Sequence, residues 1–582
     1  MIKKLAASIR EYKTPSLLTL IFIVGEVIIE CFIPFITAQL VNNIKSGVAI
    51  DELLKTGLTL FLLAVLSLTC GGVAGYTCSK ASSGFAKNLR HDVFSRIQIY
   101  TFSNIDKFSS SSLVTRLTTD ITNIQMSYMM LIRIAIRSPL MFIFAIVMAY
   151  RMGGSLAFTF VIVVPVLIFG LLMIAKFAMP AFRSVFRKYD KLNESIEENV
   201  RGMRVVKGFS REEYEKKKFY SAAENIRKDF VKAERIVALN NPLMQICLYF
   251  NMVFILIVGA KLTITGKGSI IDVGQISAML TYGMQILMSL MMLSMIYVML
   301  TMSAESAKRV CEVLDTYPEI TNPENPVMAV ESGSIDFNKV SFKYSKDAKL
   351  FAVKNIDIHI KSGQTVGIIG GTGTGKSSLV QLIPRLYDVT EGEVKVGGIN
   401  VKNYDIKTLR ESVAVVLQKN QLFSGTIKDN IRWGNENATD DEIVSACKLA
   451  QADDFITSFP DGYDTYIEQG GTNVSGGQKQ RLCIARALIK KPKILILDDS
   501  TSAVDTKTDA KIREGFKSYI PETTKIIIAQ RVSSVSDADM IIVLDGGEVS
   551  AVGTHDELLK SSSIYREVYE QQISGGDSDA EK

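Results

Sequence analysis

Histidine is almost missing from this chain. Three are present in 582 residues. His91 lies in the apolar first half, His359 ahead of a glycine-rich loop, and His555 after the last apolar run, so none stands where imidazole chemistry is needed below. Cysteine is nearly as sparse: seven, with Cys31, Cys70, Cys78 and Cys247 in or near apolar stretches. No spacing suits zinc, and an odd count without a secreted domain excludes a disulfide scaffold and implies free thiols. Charge of one sign is also limited. The net +6 is accounted for by basic segments between apolar runs, which leaves no case for a nucleic-acid partner. No cleavage site with small residues follows the first apolar run, so that run is expected to be retained as the first span rather than removed as a signal peptide.

What the chain has in quantity is long hydrophobic runs, all in its first half. Six lie at about 16–41, 57–82, 131–150, 155–180, 241–265 and 273–301. Most can cross roughly 30 Å of hydrocarbon, and six in succession exclude ordinary core helices. The third carries Arg133 and Arg137 in its first turns, with Pro139 following. Between the second and third runs lie Lys80, Lys87, Arg90, Arg96, Lys107 and Arg116; between the fourth and fifth lie Arg183, Arg187, Lys188, Lys191, Arg201, Arg204 and Lys207. The loops at 42–56 and 266–272 are short and poorly basic. The positive-inside bias therefore places both long basic segments and both termini in the cytoplasm of a multi-pass protein of the cell membrane. Helical periodicity continues through the second basic segment at Val200, Met203, Val206 and Phe209. At the start, Ile2, Leu5, Ile9 and Tyr12 share a face flanked by Lys3, Lys4, Arg10 and Lys13, which predicts an interfacial helix over 1–15. The polar stretch after Gln572 is expected to be disordered.

The second half opens on a phosphate-binding loop. A strand from Gln364 to Ile369 runs into Gly370, Gly371, Thr372, Gly373, Thr374 and Gly375, then Lys376, Ser377 and Ser378 open a helix. Glycines let backbone N–H groups converge on a phosphate, and the helix N-terminus adds a favourable dipole. Lys376 suits the β- and γ-phosphates and the Ser377 hydroxyl suits Mg2+. Further on, Ile494–Leu497 is a buried strand ending in Asp498, a metal-binding carboxylate.

The order of the following segments resembles the ATP-binding cassette family. Val340-Ser341-Phe342-Lys343-Tyr344 is similar to its adenine-stacking segment, with Tyr344 as platform. Gln418 matches the glutamine-loop residue that touches Mg2+ and faces the membrane domain. Ser475, Gly476, Gly477 and Gln478 match the signature, whose helix would point at ATP held by an opposing cassette. Ser502-Ala503-Val504-Asp505 matches the loop that crosses between the two sites. The resemblance covers nearly the whole chain. It implies the cofactors ATP and Mg2+, with Ser377, Gln418 and Asp498 at the metal. It also implies that the tips of the cytoplasmic helices, best matched by 193–219, dock on a cassette near Gln418. The family's fused N-terminal peptidase domain is not expected, since only some fifteen residues precede the first span.

Two positions depart from the family's pattern. Where efficient members carry a catalytic glutamate after the metal-binding aspartate, this chain has Asp499, and where they carry a histidine it has Gln530. An aspartate carboxylate sits about 1–1.5 Å back along the side chain, and displacement of about 1 Å in a positioned group costs about 100-fold in rate. Gln530 donates a hydrogen bond but never becomes cationic. The signature, by contrast, is intact. The resemblance thus implies a slow site in this chain and a fast site in a second, different half-transporter with glutamate and histidine at these positions, to which this chain lends Ser475, Gly476 and Gly477.

The expected fold is an α-helical polytopic membrane domain followed by an α/β P-loop nucleotide-binding domain. The expected layout is an elbow helix at 1–15, six spans with cytoplasmic extensions at 16–318, a linker at 319–333, the cassette at 334–572 and a tail at 573–582. The implied activity is ATP-driven, alternating-access export of small hydrophobic or amphipathic substrates through the lipid bilayer. An ATP-gated channel or regulatory membrane protein, an importer subunit, and a homodimeric exporter of lipid or peptide are the alternatives. Two membrane features bear on cargo. Glu26 and Glu30 lie on one face of the first span, suited either to cationic compounds or to pairing with Lys176, Arg133, Arg137 or the partner chain. Met284, Met288, Met291 and Met295 form a stripe on the sixth, suited either to promiscuous binding or to a helix seam.

Overall fold

The computed structural model describes residues 1–266, 271–345, 348–499 and 504–577. The chain divides into two units, Met1–Ile99 with Phe108–Thr316, and Tyr100–Lys107 with Tyr317–Lys582.

The first unit is helical throughout. A short α1 (Ile2–Ala7) precedes α2 (Lys13–Lys45) and α3 (Ile50–Gln98). After α4 (Phe102–Lys107), which belongs to the second unit, come α5 (Ser110–Thr115), α6 (Ile121–Gly153), α7 (Phe158–Arg201), α8 (Met203–Gly208), α9 (Glu212–Val237), α10 (Asn240–Thr265) and α11 (Val273–Asp315). Among the described residues six helices are long and apolar enough to cross a membrane. All but α10 continue past their apolar stretches, so the turn expected at 42–56 shrinks to the residues between Lys45 and Ile50. A continuous helix keeps backbone groups bonded in lipid and remains favourable outside it, save where Pro34, Pro139, Pro165 and Pro180 each remove one donor inside α2, α6 and α7.

Packing uses small residues and buried hydroxyls. A Cβ on Gly274 would fall 2.1 Å from the Ala38 carbonyl oxygen, so α11 reaches α2 only because that side chain is absent. The fully buried Tyr282 donates its hydroxyl to the Cys31 carbonyl at 2.7 Å. The start of α6 is tied to the end of α11, where Arg309 Nε donates to buried Asp120 at 2.8 Å. At the N-terminus Ser8 and Arg10 both bond Asp92 of α3, at 2.6 and 2.5 Å, and Lys4 pairs with Asp315.

The second unit has two larger sheets. The antiparallel one has the order β2-β1-β4-β5, from β1 (Ile335–Phe342), β2 (Val353–Ile360), β4 (Glu391–Val396) and β5 (Ile399–Asn400). The other has the order β12-β11-β3-β10-β9-β6, from β3 (Thr365–Gly370), β6 (Val413–Val416), β9 (Ile494–Asp498), β10 (Thr524–Ile528), β11 (Met540–Asp545) and β12 (Glu548–Gly553). It is parallel except for β12. A small pair, β7 (Gly425–Thr426) with β8 (Tyr466–Ile467), lies apart. The helices are α12 (Lys376–Gln381), α13 (Ile406–Ser412), α14 (Ile427–Arg432), α15 (Asp440–Leu449), α16 (Asp453–Ser458), α17 (Gly476–Leu488), α18 (Thr506–Tyr519), α19 (His555–Ser561) and α20 (Ser563–Asp577).

β9 is buried along its whole length, as expected of a strand with both faces covered. Ile494 through Leu497 contribute on the order of 1.5–3 kcal/mol each, which fixes where Asp498 and Asp499 emerge. The stretch expected as a linker, 319–333, belongs to this unit, where Val327 bridges Tyr404 and Asn322 bonds Asp405. α20 runs to Asp577, and the remainder of the expected tail, residues 578–582, lies outside the described residues.

Candidate functional site

Parallel strands deliver their C-terminal ends to one edge, and the site is built there. β3 ends at Gly370, and the loop turns through Gly371–Thr374, where the Thr374 hydroxyl donates to the Gly371 carbonyl at 2.9 Å. Gly375 caps α12 at φ +88°, and a Cβ there would lie 2.3 Å from the Ala352 carbonyl. Both the conformation and the close approach require glycine. Lys376 bends back and donates to the carbonyls of Gly370 and Gly371, both at 2.7 Å. Burial pushes its ammonium below the usual lysine range, against the pull of Asp498 and Asp499.

Ser377 Oγ donates to Asp498 Oδ1 at 2.9 Å, joining α12 to the end of β9. Burial raises the Asp498 carboxyl, with Ser377 opposing. A hydroxyl beside a carboxylate at a helix N-terminus is an all-oxygen set of the kind a hard cation accepts alongside phosphate. The Ser377 hydroxyl and the Asp498 carboxylate fit Mg2+ arriving with a nucleotide.

Asp499 takes a left-handed backbone, φ +49°, which is uncommon for a residue with a Cβ. Its amide donates to Ile528 in the neighbouring strand at 3.0 Å. Its carboxylate oxygen Oδ2 accepts from Gln530 Nε2 at 2.7 Å and from Gln418 Nε2 at 3.3 Å. The structure therefore brings Gln418, Asp499 and Gln530 together, with Gln418 turned to Asp499.

Tyr344 follows β1. Its hydroxyl pairs with Ser378 Oγ at 2.8 Å, and its half-exposed ring packs edge-on to Phe342 and Tyr387, centroids 4.9 and 5.2 Å apart. An adenine would find an aromatic face beside the phosphate loop.

The signature segment forms a separate feature. Ser475 caps α17 in a reciprocal box: its hydroxyl accepts from the Gln478 amide at 3.3 Å, and the Gln478 side chain accepts from the Ser475 amide at 2.8 Å. Gln478 is therefore spent on the cap, and the free amides left to the helix N-terminus belong to Gly476 and Gly477. Asp505 caps α18, accepting from the Thr508 amide at 2.9 Å, and the Thr508 side chain and amide hold its carboxyl below the usual range. Ser502 and Ala503 lie outside the described residues.

Sequence reasoning missed α4. This short helix lies within Tyr100–Lys107, which belongs to the second unit. Asp106 accepts from the Tyr387 hydroxyl at 2.6 Å, and Phe102 meets the Tyr387 ring edge-on at 5.9 Å. Burial and the Asp106 bond both raise the phenol. A tyrosine and an aspartate 281 residues apart leave no spacing signal to find.

In the first unit, Glu30 accepts two bonds from Arg137, at 2.8 and 2.7 Å, and Glu26 lies 3.5 Å from the same guanidinium. One oxygen of Glu26 is buried without a hydrogen-bond partner. Met284, Met288 and Met295 are exposed on α11, and Met291 is partly buried.

A helical unit with, among the described residues, six membrane-length helices, carried in one chain with an α/β unit built on a phosphate-binding loop, defines the class of ATP-driven membrane transporters. Residues 16–290 match the ABC transporter transmembrane region and residues 353–502 the ABC transporter family model. The uncharacterised Bacillus subtilis ABC transporter ATP-binding protein YfiB is 35% identical over 574 residues, 98% of each chain. An ABC transporter ATP-binding protein of Mycobacterium tuberculosis is 32% identical over 567 residues, 96% of each. A solved bacterial Atm1-family ABC exporter with ATP bound superimposes with a TM-score of 0.82 at 25% identity, covering 97% of this chain and 99% of that one. The chain belongs to the ABC transporter family and is a half-transporter of the exporter type, with membrane and ATP-binding domains fused.

Proposed function

We propose that this chain is one half of a heterodimeric exporter: its own site binds MgATP and cuts it slowly, while its signature completes the fast site of a different half-transporter. Asp499 carries the reading. Its carboxylate is short and engaged by the amides of Gln530 and Gln418. Neither amide takes up or releases a proton near neutral pH, so a water aimed at the γ-phosphoryl group meets a poorly placed base and no imidazolium. When bound, Mg2+ with ATP supplies the neutralised, polarised phosphoryl group. Lys376, Ser377 and Asp498 are all present for it, which supports tight binding without fast cleavage.

Gly476 and Gly477 lead α17 with the expected donors, so the contribution to a partner's site is complete. Two copies of this chain would combine two slow sites, which is why a different partner is the better reading. A groove lined by Leu417, Phe423, Trp433 and Arg486, of about 340 Å³, lies beside the glutamine-loop segment. Positive-inside charge places this unit and both termini in the cytoplasm, at the cell membrane, and the cargo is a small hydrophobic or amphipathic compound.

The test is Asp499→Glu with Gln530→His in the purified chain. Hydrolysis is expected to rise by about 100-fold. A wild-type homodimer turning over on the order of 10 per second would overturn the slow-site reading.

A further inference from the structure

The loop that carries Gln530 is held from two sides. On one, Ser534 Oγ in the turn Val532–Ser534 donates to Asp509 of α18 at 3.1 Å, both side chains buried. On the other, Gln572 of α20 donates through Nε2 to the Gln530 carbonyl at 2.8 Å and accepts through Oε1 from the Val532 amide at 2.8 Å. One side-chain amide thus meets a backbone acceptor and a backbone donor two residues apart, the pattern a neighbouring strand would offer. Gln530 is thereby tied at both ends: its backbone to α20, its side chain to Asp499.

α20 is a firm anchor. Its Tyr565 is fully buried and bonds His555 at 2.7 Å, and Arg566 donates to the carbonyls of Leu559 and Lys560 at 2.8 and 2.9 Å. The bond pattern demands glutamine chemistry. A glutamate keeps the acceptor for Val532 but opposes the Gln530 carbonyl with a second acceptor.

We propose that Gln572 is a positioning residue through which α20 braces the Gln530 loop, holding Gln530 on Asp499 and prolonging the stay of ATP in this site. The brace does not require the partner proposed above. Loss of the pair frees the residue 530 backbone, and the Gln530 side chain leaves Asp499 with it.

The experiment uses the full chain in lipid nanodiscs with Gln572→Ala, Gln572→Glu and the control Gln571→Ala, whose amide meets Glu567 instead. Backbone hydrogen exchange at Val532 and release of radiolabelled ATP in the presence of Mg2+ are measured, with melting temperature alongside. Both Gln572 variants are expected to speed Val532 exchange and ATP release by about threefold to tenfold, with the melting temperature and the Gln571 control unchanged. Unchanged Val532 exchange would overturn the brace. Faster exchange with wild-type ATP release would overturn its role at the site. If the wild-type chain retains no ATP, the slow-site reading falls while Val532 exchange still decides the brace.

Discussion

Arg137 balances charge inside the membrane unit: one guanidinium serves Glu30 directly and Glu26 at longer range. Removing both carboxylates would strand that cation, and breaking a buried pair from one side costs more than removing both members. Arg137 keeps 39% of its side-chain surface exposed, so the cost belongs at the low end, about 1–2 kcal/mol. Glu26→Gln with Glu30→Gln is expected to lower the melting temperature in nanodiscs, and Arg137→Met added to it to restore most of the loss. If the carboxylates meet cargo, the restored triple variant still transports cationic dyes less well than neutral ones; equal transport of both removes the cargo role. The sequence placed the two glutamates on one face because i and i+4 share a side of a helix, but periodicity within one helix says nothing of which helix lies opposite. Asp499 and Gln530 came from the resemblance to the family rather than from spacing; the structure sets them just past the buried strands that end at Asp498 and Ile528.

At the scale of elements, the phosphate loop and the signature helix follow from local rules. Glycine at a left-handed position, lysine and serine opening a helix, and a serine–glutamine box at a helix start are all written within a few residues. The seat of α4 is not local. Its six residues are too few to be stable alone, and what fixes them is a tyrosine far along the chain whose other edge touches the ring of Tyr344. Tyr387→Phe keeps the ring contact with Phe102 and loses the Asp106 bond, a net loss of about 0.5–1.5 kcal/mol, with more when the acceptor is charged. Hydrogen exchange over 100–107 is expected to quicken in this variant while exchange in β3 stays unchanged. Phe102→Ala, which removes apolar area and an edge-on aromatic contact, is expected to quicken it further. Equal protection of 100–107 in all three proteins would show that α4 is held by something else.

At the scale of the whole molecule, the proposed function makes the chain unequal: the segments that would bind a nucleotide and serve another cassette keep the family's residues, while Asp499 and Gln530 depart from them. That inequality predicts an asymmetric response in the complex with a second half-transporter. On the proposed reading, Lys376→Ala weakens ATP only in this chain's own slow site, so steady-state hydrolysis by the complex is expected to fall by less than about half. Gly477→Asp acts across the interface. It places a carboxylate at the N-terminus of α17, beside the amides of Gly476 and its neighbours, where a phosphate is otherwise favoured. At an interface distance of about 4 Å and an effective dielectric near 20, like charges repel by about 4 kcal/mol, enough to reduce the fast site by about a thousandfold. In a symmetric homodimer both substitutions would silence both sites alike. Measuring hydrolysis for the two variants side by side therefore separates the arrangements: a large gap between them supports division of labour, and equal loss assigns both sites the same role.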